Sequence, residues 1–186
     1  MKNAIIIHGT YGNPNENWFP WLKIELEKIG YQVYVPAFPT PENQNLEAWL
    51  KVIEDLHNNI GAQTILIGHS VGASFILSIL ESLNLPVRAA FLVSGFLGLL
   101  NNEEFDNLNR EFVDKKFDWD KIKRNVQEIH SYHSNNDPYV PIEKAYELAT
   151  NLGMEPIIIE NGGHFNETAG YREFPRLLLD IKNLNN

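Results

Sequence analysis

The sequence predicts a three-layer, doubly wound α/β fold built on a mainly parallel sheet of about six strands. Short apolar runs rich in β-branched residues recur along the chain, which is typical of strands buried on both faces. Amphipathic helical patterns separate these runs, and such alternation indicates right-handed βαβ units. A length of 186 residues fits one domain, spanning 1–186, with a complete hydrophobic core.

The predicted strands and helices alternate along the chain. Strands are expected at residues 4–7, 32–35, 64–67, 89–93, 128–132 and 156–159. Helices are expected at residues 18–29, 46–59, 71–83, 142–152 and 171–184. Gly30, Gly61 and Gly153 lie at the ends of three of these helices, where glycine is a common terminator. Pro175 interrupts the last helix early, because proline lacks the backbone donor that a helix interior needs.

Composition and charge exclude several classes of function. A formal net charge of −9 argues against nucleic acid or an anionic membrane as a partner. The chain has no cysteine, which excludes disulfides, thiolate catalysis and cysteine-based zinc sites. No His-x-x-x-His pair has a suitably placed carboxylate, so no metal or cofactor is expected. The apolar run before His8 is too short for a signal peptide, and no later run has membrane-spanning length, so a cytoplasmic location is expected.

The most informative motif is Gly68-His69-Ser70-Val71-Gly72, which lies between a predicted strand and a predicted helix. A sharp strand-to-helix turn centred on serine is a nucleophile elbow, which forces the hydroxyl out at the top of the sheet. The two glycines fit because a β-carbon would collide with neighbouring backbone there. A glycine-rich turn with an incidental serine is the alternative. The position between strand and helix favours a catalytic Ser70.

A serine nucleophile needs a base, and the base needs an orienting carboxylate. In a parallel sheet, such groups lie where strands end. Asp137 follows the fifth predicted strand and His164 follows the sixth. Each has a structural alternative, because Asp-Pro commonly starts turns and a histidine in a glycine turn can cap a helix. Their order after Ser70, at consecutive strand ends, predicts a Ser70–Asp137–His164 triad.

Two backbone amides are candidates for an oxyanion hole. The amide of Val71 begins the helix after the serine, where unpaired N–H groups and the helix dipole favour negative charge. The first strand ends at His8-Gly9, where hydrolases of this arrangement place the second amide. Thr10 is the expected owner of that amide, and Tyr11 is the alternative. His69 is expected to be held by packing beside the elbow.

Residues 94–127 interrupt the alternation with a long segment that combines large apolar side chains with acidic and amide ones. A connection of this length needs structure or a function of its own. It is either a lid over the site or an ordinary crossover with one helix. If it borders the site, an acyl pocket is expected, because such pockets are mostly apolar. The residues expected to line this pocket are Phe96, Leu97, Leu99, Leu100 and Phe105.

With these motifs in view, the chain resembles the α/β-hydrolase superfamily, and more narrowly the small serine hydrolases related to retinoblastoma-binding protein 9 and the bacterial YdeN proteins. The motifs are His8-Gly9, the elbow, Phe117-Asp118-Trp119, Asn136-Asp137-Pro138-Tyr139-Val140-Pro141 and Gly162-Gly163-His164-Phe165. The resemblance covers nearly the whole chain. It implies a compact sheet without the two leading strands of larger hydrolases, and the same triad. Retinoblastoma binding through a Leu-x-Cys-x-Glu motif is not implied, because the chain has no cysteine.

Two functions fit this sequence. The first is a serine hydrolase, carboxylesterase-like, that cleaves a small ester, thioester or amide through an acyl-enzyme on Ser70. The second is a non-catalytic protein-binding module on a hydrolase scaffold, because a fold alone does not dictate function. Retention of all three triad positions favours the enzyme. The expected partner is therefore a small-molecule acyl substrate, and the sequence indicates no particular protein partner.

Overall fold

The computed structural model describes residues 2–184, and its centre is a six-stranded, all-parallel sheet in the order β2-β1-β3-β4-β5-β6. The strands are β1 (Lys2–Ile7), β2 (Tyr31–Tyr34), β3 (Thr64–His69), β4 (Val87–Val93), β5 (Val126–Ser134) and β6 (Ile157–Ile159). The helices are α1 (Phe19–Lys28), α2 (Leu46–Glu54), α3 (Val71–Ser82), α4 (Glu103–Val113), α5 (Trp119–Arg124), α6 (Ile142–Leu152) and α7 (Pro175–Asn183). The predicted doubly wound fold is confirmed.

Two hydrophobic cores lie on opposite faces of the sheet. Successive strand side chains point to opposite faces, so Ile5 and Ile7 of β1 join one core while Ala4 and Ile6 join the other. Helices α1 and α7 cover the face that includes Ala4 and Ile6. Helices α2 to α6 cover the opposite face. The strands are buried on both sides, which is why their sequences are almost continuously apolar.

The main differences from prediction lie in the helices. The segment 94–127 contains two helices, α4 and α5, instead of a single crossover helix. The last helix begins at Pro175, where a missing N–H costs nothing because first-turn amides have no intrahelical partner. The helix predicted at 46–59 ends at Glu54 and is followed by a short 3₁₀ turn at His57–Asn59. Within residues 2–184, no helix combines the length and apolar character needed to cross a bilayer.

Candidate active site

Ser70 forms a strained turn between β3 and α3. Its backbone has φ 57° and ψ −128°, a conformation that residues with a side chain rarely adopt. Its N–H donates to the carbonyl of Val93 at the end of β4 over 2.8 Å, which helps to hold the turn. A β-carbon on Gly68 would lie 2.5 Å from the carbonyl oxygen of Gly72, and one on Gly72 would lie 2.4 Å from that of His8. Helix α3 therefore approaches β3 and the end of β1 this closely only because both positions are glycine.

The loops that follow β5 and β6 are joined by two asparagine side chains. Asn135 accepts a hydrogen bond from the N–H of Asn161 over 2.8 Å. Asn136 accepts one from the N–H of Gly163 over 2.8 Å. These bonds connect the loop that carries Asp137 to the turn that carries the candidate base, so two residues far apart in sequence have a common support.

Asp137 and His164 meet at this junction. Nδ1 of His164 lies 2.8 Å from Oδ2 of Asp137, and the Asp137 side chain is completely buried. Oδ2 also accepts the hydroxyl of Ser94 over 2.9 Å. Oδ1 accepts the backbone amides of Tyr139 at 2.9 Å and Val140 at 3.0 Å. Both oxygens are thus held, so the carboxylate has little freedom to rotate away from the imidazole.

The environment of Asp137 keeps its carboxyl group ionised. Burial alone would raise its pKa, but the hydrogen bond and charge of His164, together with the two backbone amides, outweigh burial and lower the pKa below 3.8. A carboxylate only accepts, so Nδ1 of His164 carries the proton and Nε2 remains a base. Ser70 and His164 line the same cavity, although the Ser70 hydroxyl makes no hydrogen bond within residues 2–184. Such catalytic contacts commonly tighten only when substrate binds.

Three other histidines are buried and neutral. Burial lowers the pKa of His69 to about 3, helped by the nearby His164. Nε2 of His69 donates to the backbone carbonyl of His164 over 2.7 Å, so this side chain supports the turn of the candidate base. Burial also lowers the pKa of His8 and of His133, against opposing backbone hydrogen bonds. His69 is thus packed beside the elbow, as the sequence predicts.

The backbone amides near Ser70 distinguish between the two oxyanion alternatives. Within residues 2–184, the N–H groups of Val71 and Thr10 have no hydrogen-bond partner. The N–H of Tyr11 donates to Oγ1 of Thr40 over 2.7 Å. Tyr11 is therefore not free to bind an oxyanion, and the geometry favours Thr10.

His8 orients the peptide that carries the Thr10 amide. Nε2 of His8 accepts the N–H of Phe38 at 2.9 Å, so Nδ1 carries the proton and donates to the Gly9 carbonyl, also at 2.9 Å. In a trans peptide the N–H points opposite to the carbonyl, so the Thr10 N–H faces away from His8. A β-carbon on Gly9 would lie 2.9 Å from Cβ of Ser70, which places this peptide beside the nucleophile.

The cavity at Ser70 has a volume of about 400 Å³ and contains part of the predicted acyl pocket. Of the five residues predicted for that pocket, Phe96, Leu100 and Phe105 line the cavity, whereas Leu97 and Leu99 do not. Leu97 is 6% exposed and belongs to the core that α3 and α4 share. Adjacent side chains in an irregular segment point in different directions. Apolar composition alone therefore could not distinguish the residues that line the cavity from those that do not.

One wall of the cavity is acidic. Glu16 and Glu167 line it, and none of the described lining residues is a lysine or arginine. Glu167 pairs with the exposed Arg172 at 3.1 Å. Glu16 has no ion-pair partner in residues 2–184, and burial together with Glu167 raises its pKa despite a hydrogen bond from Asn13. An anionic group in the cavity would therefore meet negative charge.

Sequence patterns did not identify three polar side chains at this site: Ser94, Asn109 and Gln44. Ser94 adopts φ 51°, is fully buried and donates to Asp137. Gln44 and Asn109 are buried and hydrogen-bond to each other and to Thr10. Ser94 directly follows a predicted strand, and this position could have identified it as a site residue. No local sequence feature indicates Asn109 or Gln44. In residues 2–184, no group of three or more acidic or histidine side chains is arranged to hold a metal ion.

A strand–serine–helix elbow next to a buried carboxylate–imidazole pair, on this parallel sheet, defines the serine hydrolases of the α/β-hydrolase fold. The profile of the serine hydrolase family matches residues 4–182, and the chain belongs to this family. It is 32% identical to YdeN of Bacillus subtilis over 94% of this chain and 91% of YdeN. It is 30% identical to serine hydrolase RBBP9 of Rattus norvegicus over 97% of this chain and 94% of that protein. The crystal structure of the B. subtilis ydeN product superposes with a TM-score of 0.91, covering 99% and 98% of the two chains at 30% identity.

Proposed function

We propose that the protein hydrolyses a small carboxylic ester, thioester or amide through an acyl-enzyme on Ser70. One observation carries the proposal: the strained Ser70 shares its cavity with His164, whose Nδ1 is held 2.8 Å from the buried Asp137 carboxylate. This arrangement leaves Nε2 of His164 as a base, on a residue that lines the same cavity as the Ser70 hydroxyl that we propose it activates.

In the proposed acylation, Nε2 of His164 removes the hydroxyl proton as Oγ of Ser70 attacks the substrate carbonyl carbon. The carbonyl oxygen becomes an oxyanion, which the free N–H groups of Val71 and Thr10 stabilise. Asp137 stabilises the imidazolium that forms, without accepting its proton. His164 then donates the proton to the departing alcohol, thiol or amine, and an acyl ester on Ser70 remains.

In the proposed deacylation, a water molecule takes the place of the leaving group. His164 removes a proton from this water as the oxygen attacks the acyl carbonyl, and the same two amides hold the second oxyanion. Collapse of this intermediate releases the carboxylic acid and returns the proton to Oγ of Ser70. The cycle balances with water as its only co-substrate.

The cavity supports a small, uncharged acyl substrate. Its volume of about 400 Å³ lies toward the lower end of ligand pockets, which span roughly 300–1,000 Å³. Phe96, Leu100 and Phe105 provide the apolar wall, and Glu16 disfavours an anionic substituent. The negative net charge likewise supports a small-molecule substrate over nucleic acid or an anionic membrane. We also propose that the enzyme is cytoplasmic.

The proposal is tested by labelling the purified protein with a fluorophosphonate and mapping the adduct by peptide mass spectrometry. We expect a single adduct on Ser70, because only an activated hydroxyl attacks this phosphorus readily. Ser70→Ala should abolish both labelling and hydrolysis of p-nitrophenyl butanoate while it leaves the thermal unfolding temperature equal to or above that of the wild type. The substitution removes one oxygen at a strained turn, so the fold should not suffer.

Ser74 provides the control for this assignment. It lies one helical turn after Ser70, is fully buried, and exchanges hydrogen bonds with the backbone of Phe96. An adduct on Ser74, Ser94 or Ser131 would contradict the assignment of Ser70. A folded wild-type protein that neither labels nor hydrolyses any ester would instead favour the non-catalytic binding module.

A further inference from the structure

Asn109 contributes a nearly buried polar side chain to the cavity at Ser70. It lies on α4, is 3% exposed and lines the cavity. Its Oδ1 accepts two hydrogen bonds, one from the hydroxyl of Thr10 at 2.6 Å and one from Nε2 of Gln44 at 2.9 Å. The oxygen end of this amide is thus used by the protein itself.

The neighbouring groups determine which end of the Asn109 amide is the oxygen. Nε2 of Gln44 also donates to the backbone carbonyl of Leu108 over 3.2 Å, and a carbonyl only accepts. Oε1 of Gln44 accepts the hydroxyl of Thr40 over 2.6 Å. Because Gln44 therefore presents its donor toward α4, the Asn109 atom that it meets must be the acceptor, Oδ1.

The NH₂ group of Asn109 is the end that remains. It has no hydrogen-bond partner within residues 2–184. Its nitrogen is also not completely enclosed by protein, so a bound molecule can reach it. A buried donor costs free energy unless an acceptor satisfies it. Since the residue borders the cavity, a molecule bound there is in a position to supply that acceptor.

Phe105 lies one helical turn before Asn109 and also lines the cavity. Residues four apart lie on the same face of a helix, so α4 presents an apolar ring and an amide donor side by side. A purely hydrocarbon acyl chain would satisfy the ring and leave the donor unpaired.

We propose that Asn109 determines specificity: its NH₂ group donates to an oxygen acceptor carried by the acyl chain of the substrate. The preferred acyl groups then combine an apolar portion with a ketone, ether or amide oxygen. This inference rests on the proposed hydrolase function and adds to it the class of acyl group. A site built to pair a polar group discriminates against analogues that lack the matching group.

The test compares p-nitrophenyl levulinate, which has a ketone in its acyl chain, with p-nitrophenyl pentanoate, which has a methylene there. A second pair, methoxyacetate and butanoate, moves the acceptor closer to the ester. The variant Asn109→Asp keeps an oxygen for Thr10 and Gln44 and replaces the donor by a second acceptor. We expect the ratio of kcat/KM for oxygen-bearing to plain ester to fall about ten-fold in at least one pair, the size of one lost hydrogen bond.

Comparing this ratio between variant and wild type cancels the difference in intrinsic reactivity between the two esters. Taking the ratio within one variant cancels any effect of the new charge that is common to both esters. Asn109→Leu, which removes the donor without adding charge, should lower the same ratio. Asn107→Asp is the matched control: it makes the same change at an exposed position of α4 that does not line the cavity, so it should leave the ratio unchanged.

Equal changes for both members of every pair in Asn109→Asp and Asn109→Leu would overturn the inference, because Asn109 would then only support the Thr10 loop. Unchanged ratios and rates would overturn it too. Fluorophosphonate labelling of Ser70 separates this failure from failure of the proposed function. If the wild type and the variants label but the ratios do not move, only the role of Asn109 is wrong. If the wild type does not label, both proposals fail.

Discussion

Asp137 contacts His164 through one oxygen and is held in place through both. Oδ1 accepts the amides of Tyr139 and Val140, while Oδ2 accepts from His164 and Ser94. This pattern determines what an amide would do in its place. A residue 137 amide would keep its oxygen toward the two backbone N–H groups and turn its NH₂ toward the imidazole.

We therefore predict that Asp137→Asn lowers kcat about 10⁴-fold, because the new donor would force the proton of His164 onto Nε2 and leave no base for Ser70. Stopped-flow or steady-state hydrolysis of p-nitrophenyl butanoate measures the effect. Ser94→Ala is the matched variant: it removes one of four bonds to the same carboxylate and should cost about ten-fold or less. A loss in Ser94→Ala as large as that in Asp137→Asn would contradict this assignment of roles.

The buried neutral histidines make stability depend on pH. The pKa of His69 is lowered to about 3, so between about pH 3 and pH 6.5 the unfolded chain binds a proton that the folded protein excludes. The free energy of unfolding should consequently fall as the pH is lowered through this window, by up to about 1.4 kcal/mol per pH unit for this group. His8 and His133, whose pKa values are also lowered, should add to the same trend.

We predict that His69→Gln makes this dependence less steep, since glutamine retains a donor for the His164 carbonyl and does not titrate. Urea unfolding at a series of pH values between about 4 and 7 measures the slope. His57→Gln removes an exposed histidine and should leave the slope unchanged. Equal slopes in wild type and His69→Gln would show that His69 binds its proton in the folded state as well.

At the scale of elements, the segment 94–127 serves both the core and the cavity. Leu97 and Phe112 are buried in the core with α3, whereas Phe105 is half-buried and reaches the cavity, where its ring approaches those of Tyr11 and Tyr139. The segment therefore has two sets of apolar side chains. One set packs in the core and contributes to stability, and the other lines the cavity and is available to contact a substrate.

We predict opposite outcomes for two truncations in this segment. Leu97→Ala should lower the free energy of unfolding by about 2–5 kcal/mol, because it leaves a core cavity, and should not change the preference among acyl chain lengths. Phe105→Ala should shift relative kcat/KM between short and medium acyl esters by about ten-fold with little change in stability. Denaturant unfolding and an ester series measure both quantities. If Leu97→Ala changes the chain-length preference and Phe105→Ala does not, the acyl pocket does not lie beside Phe105.

At the scale of the whole molecule, we expect negative charge to disfavour anionic substrates. The chain carries a net charge of −9, and the cavity wall includes Glu16, for which the described part of the chain provides no ion-pair partner. An anionic ester should therefore approach and bind less readily than a neutral one of similar size. Added salt should reduce the difference, because the screening length shortens from about 30 Å at 0.01 M to about 8 Å at 0.15 M.

We predict that kcat/KM for p-nitrophenyl hydrogen succinate, relative to p-nitrophenyl pentanoate, rises with ionic strength and rises further in Glu16→Gln. Asp114→Asn makes the same change of charge away from the cavity, where Asp114 pairs with Arg110, and should have a smaller effect. If the two variants raise the ratio equally, the net charge and not the cavity wall determines this preference.

The sequence alone predicted a parallel sheet of about six strands, five of the helices in their places along the chain, the elbow at Ser70 and the two strand ends that carry Asp137 and His164. These features are predictable because each depends on local properties: apolar periodicity, glycine at crowded turns, and the rule that strand ends of a parallel sheet share one edge. The structure confirms the fold and brings Asp137 within 2.8 Å of His164.

Only the tertiary structure distinguished Leu97 from Phe105, chose Thr10 over Tyr11 as the residue with a free amide, and joined Gln44 to Asn109. Each of these outcomes depends on loops that are distant in sequence: Thr10 meets a residue 99 positions away, and Tyr11 meets one 29 positions away. A hydrogen bond between such loops leaves no periodic or compositional signal in either one. The direction of an individual side chain is decided when the loops pack together, so the sequence determined which chemistry meets at the sheet edge, and packing determined which atoms remain free to bind a substrate.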